Sequence, residues 1–160
     1  VYMLIYAATN LGMFGVILAV SRKTRSGEIS SWGGLFSYAP GLGALATIFL
    51  ASLAGIPPLG GWVGKFAAFQ SMLTSGSGWG YALALIGAVN SVVAFGYYGS
   101  VMREIWMKPV PDGDTTPIRV PGSLKLALVL TAATTLVLGI LPGVAMHFGD
   151  IARLTSAFGG

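Results

Sequence analysis

Between Glu28 and Arg103 the chain carries a single charged side chain, Lys65. So long a stretch cannot be wrapped into a soluble domain, because hydrating a globular surface takes roughly 25% charged residues. Over all 160 residues hydrophobic side chains make up 54% and charged ones only 9%, so most of the outer surface must meet lipid or other apolar protein. A helix crosses the hydrocarbon core with about 20 apolar residues. Four runs reach that length, at residues 2–21, 41–74, 79–102 and 126–147. The expected fold class is all-α, a polytopic membrane helix bundle with four transmembrane spans.

Two polar connectors separate these runs. Residues 22–40 hold Arg22, Lys23, Arg25 and Glu28, and residues 103–125 hold Arg103, Lys108, Arg119 and Lys125 around a region rich in Pro, Gly and Asp. Lys and Arg are retained on the cytoplasmic side of a membrane. The opposite side offers only Arg153, so both connectors are expected in the cytoplasm and both chain ends outside. Glu104 and Lys108 have the i,i+4 spacing of a solvated helix pair. Trp32, Trp79 and Trp106 lie near the ends of runs, where interfacial aromatic belts form. The chain opens on Val1 with no basic region ahead of its first apolar run. That reads as a cut end within something longer, not as a signal peptide.

Several function classes are excluded at this stage. The net charge of +4 is distributed over the connectors and gives no patch for nucleic acid. With no cysteine there is no disulfide framework, thiolate zinc site or Fe–S ligand set. One histidine and five acids, mostly in loops, supply neither a metal-ligand cluster nor a nucleophile–base constellation. The 24 glycines are scattered through the runs without a phosphate-loop pattern. Small residues in such runs let membrane helices approach closely.

The run 41–74 is too long for one straight crossing at 1.5 Å per residue. It is interrupted at Gly55-Ile56-Pro57-Pro58-Leu59-Gly60-Gly61. Each proline removes a backbone donor and disfavours helical geometry in the residue before it. The spacing predicts a discontinuous helix, with half-helices over about 42–55 and 61–73 joined by an unwound linker. Unwound backbone is tolerated at membrane depth only when buried in protein or lining a wet cavity, and broken helices recur at transporter ion sites. Lys65 falls just past the break. An ammonium at mid-membrane costs at least about 2.5 kcal/mol on insertion scales. Carbonyls freed at the end of the first half-helix would offset part of that, since a helix C-terminus is partially negative. Desolvation disfavours the charged form, which makes a buried lysine a candidate proton-transfer group. The alternative is an interfacial anchor whose ammonium snorkels to water.

Ser52-Leu53-Ala54-Gly55-Ile56-Pro57-Pro58 followed by Gly61-Trp62-Val63-Gly64-Lys65-Phe66 closely resembles the broken helix of the antiporter-like membrane subunits of respiratory complex I, the proton-translocating NADH:quinone oxidoreductase. These subunits are also similar to membrane components of multisubunit Na+/H+ antiporters. Tyr6-Ala7-Ala8-Thr9-Asn10-Leu11-Gly12-Met13-Phe14 resembles the preceding helix of the N-type bacterial subunit. Asn90-Ser91-Val92-Val93-Ala94-Phe95-Gly96-Tyr97-Tyr98 resembles its following helix. The M-type subunit typically has glutamate at the Lys65 position, and the L-type usually follows its lysine with an acid. Lys65 and Phe66 therefore favour the N type, and Trp62 stands where the family often has Phe.

The resemblance covers essentially the whole chain and implies a C-terminal fragment, residues 1–160, holding the last four helices of a fourteen-helix subunit. It implies that Lys65 matches the lysine of the second discontinuous helix, on the membrane-buried proton path. The break around that path is formed by Gly55, Pro57, Pro58, Gly60 and Gly61. No cofactor is implied on this chain, while NADH, flavin, Fe–S clusters and quinone belong to partner subunits. The partners implied are other membrane subunits of the complex, the missing N-terminal helices of the same subunit and the lipid of a bacterial plasma membrane. Without the first symmetry-related half, the fragment alone is not expected to translocate protons. Asn10, Asn90 and Ser91 are candidates to line the path, with helix–helix hydrogen bonding as the alternative. His147, near Asp150 and Arg153, is a candidate exit residue, with an interfacial polar cap as the alternative. Thr131, Thr134 and Thr135 read as intrahelical back-bonding residues. Two other functions compete: a component of a cation/proton antiporter, and a purely structural membrane scaffold.

Overall fold

The computed structural model describes residues 2–141 and Gly143. Among these residues the regular structure is all helical. The elements are α1 (Tyr2–Thr24), a 3-10 turn (Ile29–Trp32), α2 (Leu35–Tyr38), α3 (Pro40–Ala54), α4 (Gly60–Thr74), α5 (Gly78–Met107) and α6 (Gly122–Ile140). Local chemistry explains their ends. Arg22 and Lys23 occupy the last turn of α1, where cations complement the helix dipole. α3 opens on Pro40, whose missing N–H is one that a first turn leaves unbonded anyway. α5 is capped by Ser77, whose hydroxyl accepts from the Gly80 amide at 3.0 Å.

α1, α5 and α6 are each long and apolar enough to cross a bilayer. The run 41–74 is divided into α3 and α4, 15 residues each. At 1.5 Å per residue each reaches about 22 Å, short of the ~30 Å hydrocarbon core. Three helices therefore span by their own length where the apolar runs give four. α5 continues to Met107, past the expected end at 102, and α6 begins at Gly122, ahead of the expected start at 126. The far end of the fourth run, with His147, Asp150 and Arg153, lies outside the described residues.

α1 packs against α3 and α6, α3 against α5, and α4 against α1, α5 and α6. The core runs through Val16 and Val20 of α1, Ala46 and Phe49 of α3, Ile105 of α5 and Leu128 of α6. Gly12 lies against the far end of the Phe49 ring, where any Cβ would overlap it. Residues 22–40 are more than a polar link, because Trp32, Leu35 and Tyr38 are buried in this same core. Trp32 is thus a core residue and not part of an interfacial belt. Trp79 is 82% exposed, and Trp106 stacks on Phe36 at 3.9 Å and donates to the Thr47 hydroxyl at 2.9 Å.

The two connectors meet at one end of the bundle. The Lys23 ammonium donates to the carbonyls of Asp114 (2.8 Å) and Thr116 (2.6 Å), lies 3.7 Å from the Asp114 carboxylate and sits 4.0 Å over the Tyr38 ring. Gly34 donates its amide to the Glu104 carbonyl at 3.1 Å. Lys23–Asp114 is the ion pair found among the described residues. Glu104 and Lys108 do not pair, because Lys108 caps α5 with extended backbone, φ −92 and ψ 148, and leaves the helical face. Burial, and then the Asp114 charge, push the Tyr38 hydroxyl pKa up.

Hydrogen bonds from the Thr116 amide and hydroxyl, with the Lys23 charge, hold the Asp114 carboxyl below the usual carboxylate range. A depressed carboxyl stabilises the fold above its unfolded pKa and loses that contribution as pH falls through its folded one. The contact between connectors is therefore expected to be constant from neutral pH down to about pH 4 and to loosen in stronger acid. Amide exchange at Thr116 against pH reads this directly, and Asp114→Asn should abolish the acid limb.

Candidate functional site

The last turn of α3 exposes four carbonyls, those of Ala51, Ser52, Leu53 and Ala54, that a continuing helix would have used. Gly55 ends the helix in the left-handed conformation, φ +87, which glycine adopts without steric penalty. Its amide bonds to the Ala51 and Ser52 carbonyls at 3.1 and 3.0 Å, and the Ile56 amide bonds to Ala51 at 2.9 Å. This is a Schellman closure, and it satisfies two of the four. The other two are taken by Lys65, whose ammonium donates to Leu53 O at 2.9 Å and Ala54 O at 3.0 Å. A lysine of α4 thus caps the C-terminus of α3, with its cation at the partially negative helix end.

α4 starts after Leu59, which has no side chain able to cap it. The cap comes from α3 instead. The fully buried Ser52 hydroxyl accepts from the Gly61 amide at 3.0 Å, and the Trp62 amide bonds to Leu59 O at 3.0 Å. Gly61 lies so close to the Ser52 carbonyl that any Cβ would collide with it. At Gly60 a Cβ would come within 2.6 Å of Ile5 and 3.0 Å of the Thr135 carbonyl. Gly139 of α6 packs directly on the linker at Pro58, Leu59 and Gly60. Pro57 and Pro58 form the turn between the two helices, and their bond is cis.

Lys65 is half-buried and lines a cavity of about 160 Å³ together with Tyr6, Thr9, Ser52, Gly61 and Tyr98. Thr9 and Thr135 are fully buried beside it, their hydroxyls 3.2 Å apart across α1 and α6. Thr131, Thr134 and Thr135 each bond back to their own helix, as the sequence suggests. Asn10 donates to the Tyr6 carbonyl at 2.8 Å and borders a second cavity of about 360 Å³, which reaches Ser26 and Gly27 at the connector end. The two cavities share Leu53 and Tyr98 in their walls. Ser91 bonds to Gly87 O at 2.8 Å, and Asn90 is exposed on α5. Neither lines the Lys65 cavity. His147 lies outside the described residues.

Sequence reasoning singled out neither Ser52 nor the Thr9–Thr135 pair. Ser52 left one signal: Leu59 stands where Ser, Thr, Asp or Asn would normally cap a helix, so the cap had to come from elsewhere in the chain. Chemically, the site holds an ammonium with two of its three protons bound to carbonyls. Its protonation state is thereby coupled to the end of a helix.

The described bundle, with three helices long and apolar enough to cross a bilayer, is that of a membrane protein. A family model described as NADH:quinone oxidoreductase/Mrp antiporter, TM, matches residues 1–93, and the chain belongs to this family. Its relatives include NADH-quinone oxidoreductase subunit N of Geobacillus sp. (strain WCH70), 37% identical over 92% of this chain and 29% of that protein. Subunit N of Heliobacterium modesticaldum is 39% identical over 89% of this chain and 29% of that protein. A chain of respiratory complex I from Thermus thermophilus with bound aureothin has the same fold, with TM-score 0.66 and 30% identity, over 87% of this chain and 32% of that one. The chain spans less than a third of the length of these relatives.

The close approach of α4 to α3 yields a stability expectation. Gly61→Ala in the full-length subunit places a methyl group on the Ser52 carbonyl and should cost about 1–3 kcal/mol through overpacking. A lowered thermal midpoint of the solubilised complex, set against the unsubstituted one, measures it.

Proposed function

We propose that the chain is the C-terminal part, residues 1–160, of a non-redox membrane subunit of NADH:quinone oxidoreductase, and that it carries part of a transmembrane proton path with Lys65 as a buried relay. The observation that carries this reading is the Lys65 ammonium bound to the Leu53 and Ala54 carbonyls at the junction of two short helices. α3 and α4 act together as one discontinuous span, which with α1, α5 and α6 makes four crossings. A protonated Lys65 is held by two carbonyls. A neutral one loses that attraction, so gain and loss of a proton changes what the break binds. The hydroxyl-lined cavity beside it suits proton exchange with water. Asn10 borders the neighbouring cavity, toward the connectors.

The remaining roles follow from membership in such a complex. NADH, flavin, Fe–S clusters and quinone are handled by partner subunits, and the chain contacts lipid, other membrane subunits and the preceding helices of its own subunit. It lies in the bacterial plasma membrane with both connectors cytoplasmic. The cation/proton antiporter alternative is not favoured, because the relatives carry the name NADH-quinone oxidoreductase subunit N.

Arginine separates a relay from an anchor. Arginine keeps its proton at any physiological pH but snorkels as lysine does. In the assembled complex Lys65→Arg and Lys65→Met are both expected to reduce proton pumping coupled to quinone reduction; normal pumping by an assembled Lys65→Arg complex would leave Lys65 as an anchor or fixed charge. Sidedness is tested separately. Single cysteines at Gly27 and Gly113, one in each connector, should be labelled by an impermeant maleimide only from the cytoplasmic face. Labelling of both from outside reverses the orientation.

A further inference from the structure

The junction is held by two caps that run in opposite directions. Lys65 of α4 closes the carbonyl end of α3, and Ser52 of α3 closes the amide end of α4. Neither half-helix is fully capped by its own end: Leu59 has no capping side chain, and the Gly55 closure leaves the Leu53 and Ala54 carbonyls over. Ser52 is fully buried, and its hydroxyl is the acceptor for the Gly61 amide. Gly61 and Lys65 are four residues apart, one turn of α4, and so lie on the same side of that helix. Fixing Gly61 on Ser52 therefore fixes how far along α3 the lysine reaches. The Gly55 Cα brackets the stem from the other side, since a Cβ there would lie 2.8 Å from Lys65 Cδ.

We propose that Ser52 is a positioning residue for Lys65: its hydroxyl, by capping α4 at Gly61, sets the register that brings the ammonium onto the Leu53 and Ala54 carbonyls. The bearing of this on proton transfer rests on the relay reading of Lys65. The geometric part does not.

Three substitutions in the full-length subunit of the assembled complex test it. Ser52→Cys keeps the size of the side chain but offers only a weak sulfur acceptor; Ser52→Ala removes the acceptor outright; Ser52→Thr retains the hydroxyl. The readouts are the ratio of protons pumped to NADH oxidised and the position of Lys65 in a cryo-EM map. In the alanine and cysteine variants the ammonium should leave one or both carbonyls, and the ratio should fall part of the way toward that of Lys65→Met. Threonine should restore both. A role in packing alone predicts that cysteine behaves as serine, because the space stays filled. The proposal is overturned if Lys65 remains on both carbonyls in the cysteine or alanine structure. If the lysine moves without changing the ratio in a complex where Lys65→Met lowers it, the positioning role stands and its bearing on proton transfer is overturned. Should Lys65→Met itself pump normally, the relay reading falls, and the map of the Ser52 variants still decides the positioning role.

Discussion

Interrupting a helix inside an apolar bundle exposes backbone groups that water cannot reach, and each must find a partner or cost several kcal/mol. In this chain the debt is met at one junction. The four carbonyls ending α3 are divided between the Gly55–Ile56 amides and the Lys65 ammonium, and the start of α4 leans on the Ser52 hydroxyl. Much of the surrounding packing follows. α4 must approach α3 closely enough for these bonds, which requires glycine at Gly61. The linker in turn takes the space beside Gly139 of α6, and Gly60 that beside Ile5 of α1. The small residues concentrated here are a consequence of the capping geometry.

The same junction gives the lysine its character. A snorkelling lysine extends toward water and leaves its helix unaffected. The Lys65 side chain instead turns back across the break onto the end of another helix, and it shares a cavity with the hydroxyl-bearing residues Ser52, Thr9, Tyr6 and Tyr98. Among the described residues, a cation there is stabilised by local carbonyl dipoles with no acidic partner contributing. The charge–dipole part of that stabilisation is lost with the proton. The connector end works on a different principle, with Lys23 tied to carbonyls, a carboxylate and an aromatic face at once. That contact joins the ends of α1 and α2 to the segment between α5 and α6, so one end of the bundle is fixed while the site lies away from it.

The order of residues was enough for the membrane class and for the interruption at Gly55–Gly61, because each rests on a local property: absence of charge, and proline and glycine chemistry. The motif around Lys65 also carried the family. Tertiary structure alone decided the rest. That residues 22–40 would bury Trp32, Leu35 and Tyr38 depends on which surface the connector folds against. That Lys108 would leave the α5 face and abandon Glu104 depends on where the helix stops. Ser52, Thr9 and Thr135 are ordinary hydroxyls in sequence, and they matter only because Gly61 lies nine residues from the first and 126 residues separate the other two. Hydrogen bonds between distant segments leave no periodicity to read, since their partners are chosen by how helices pack and not by spacing along the chain.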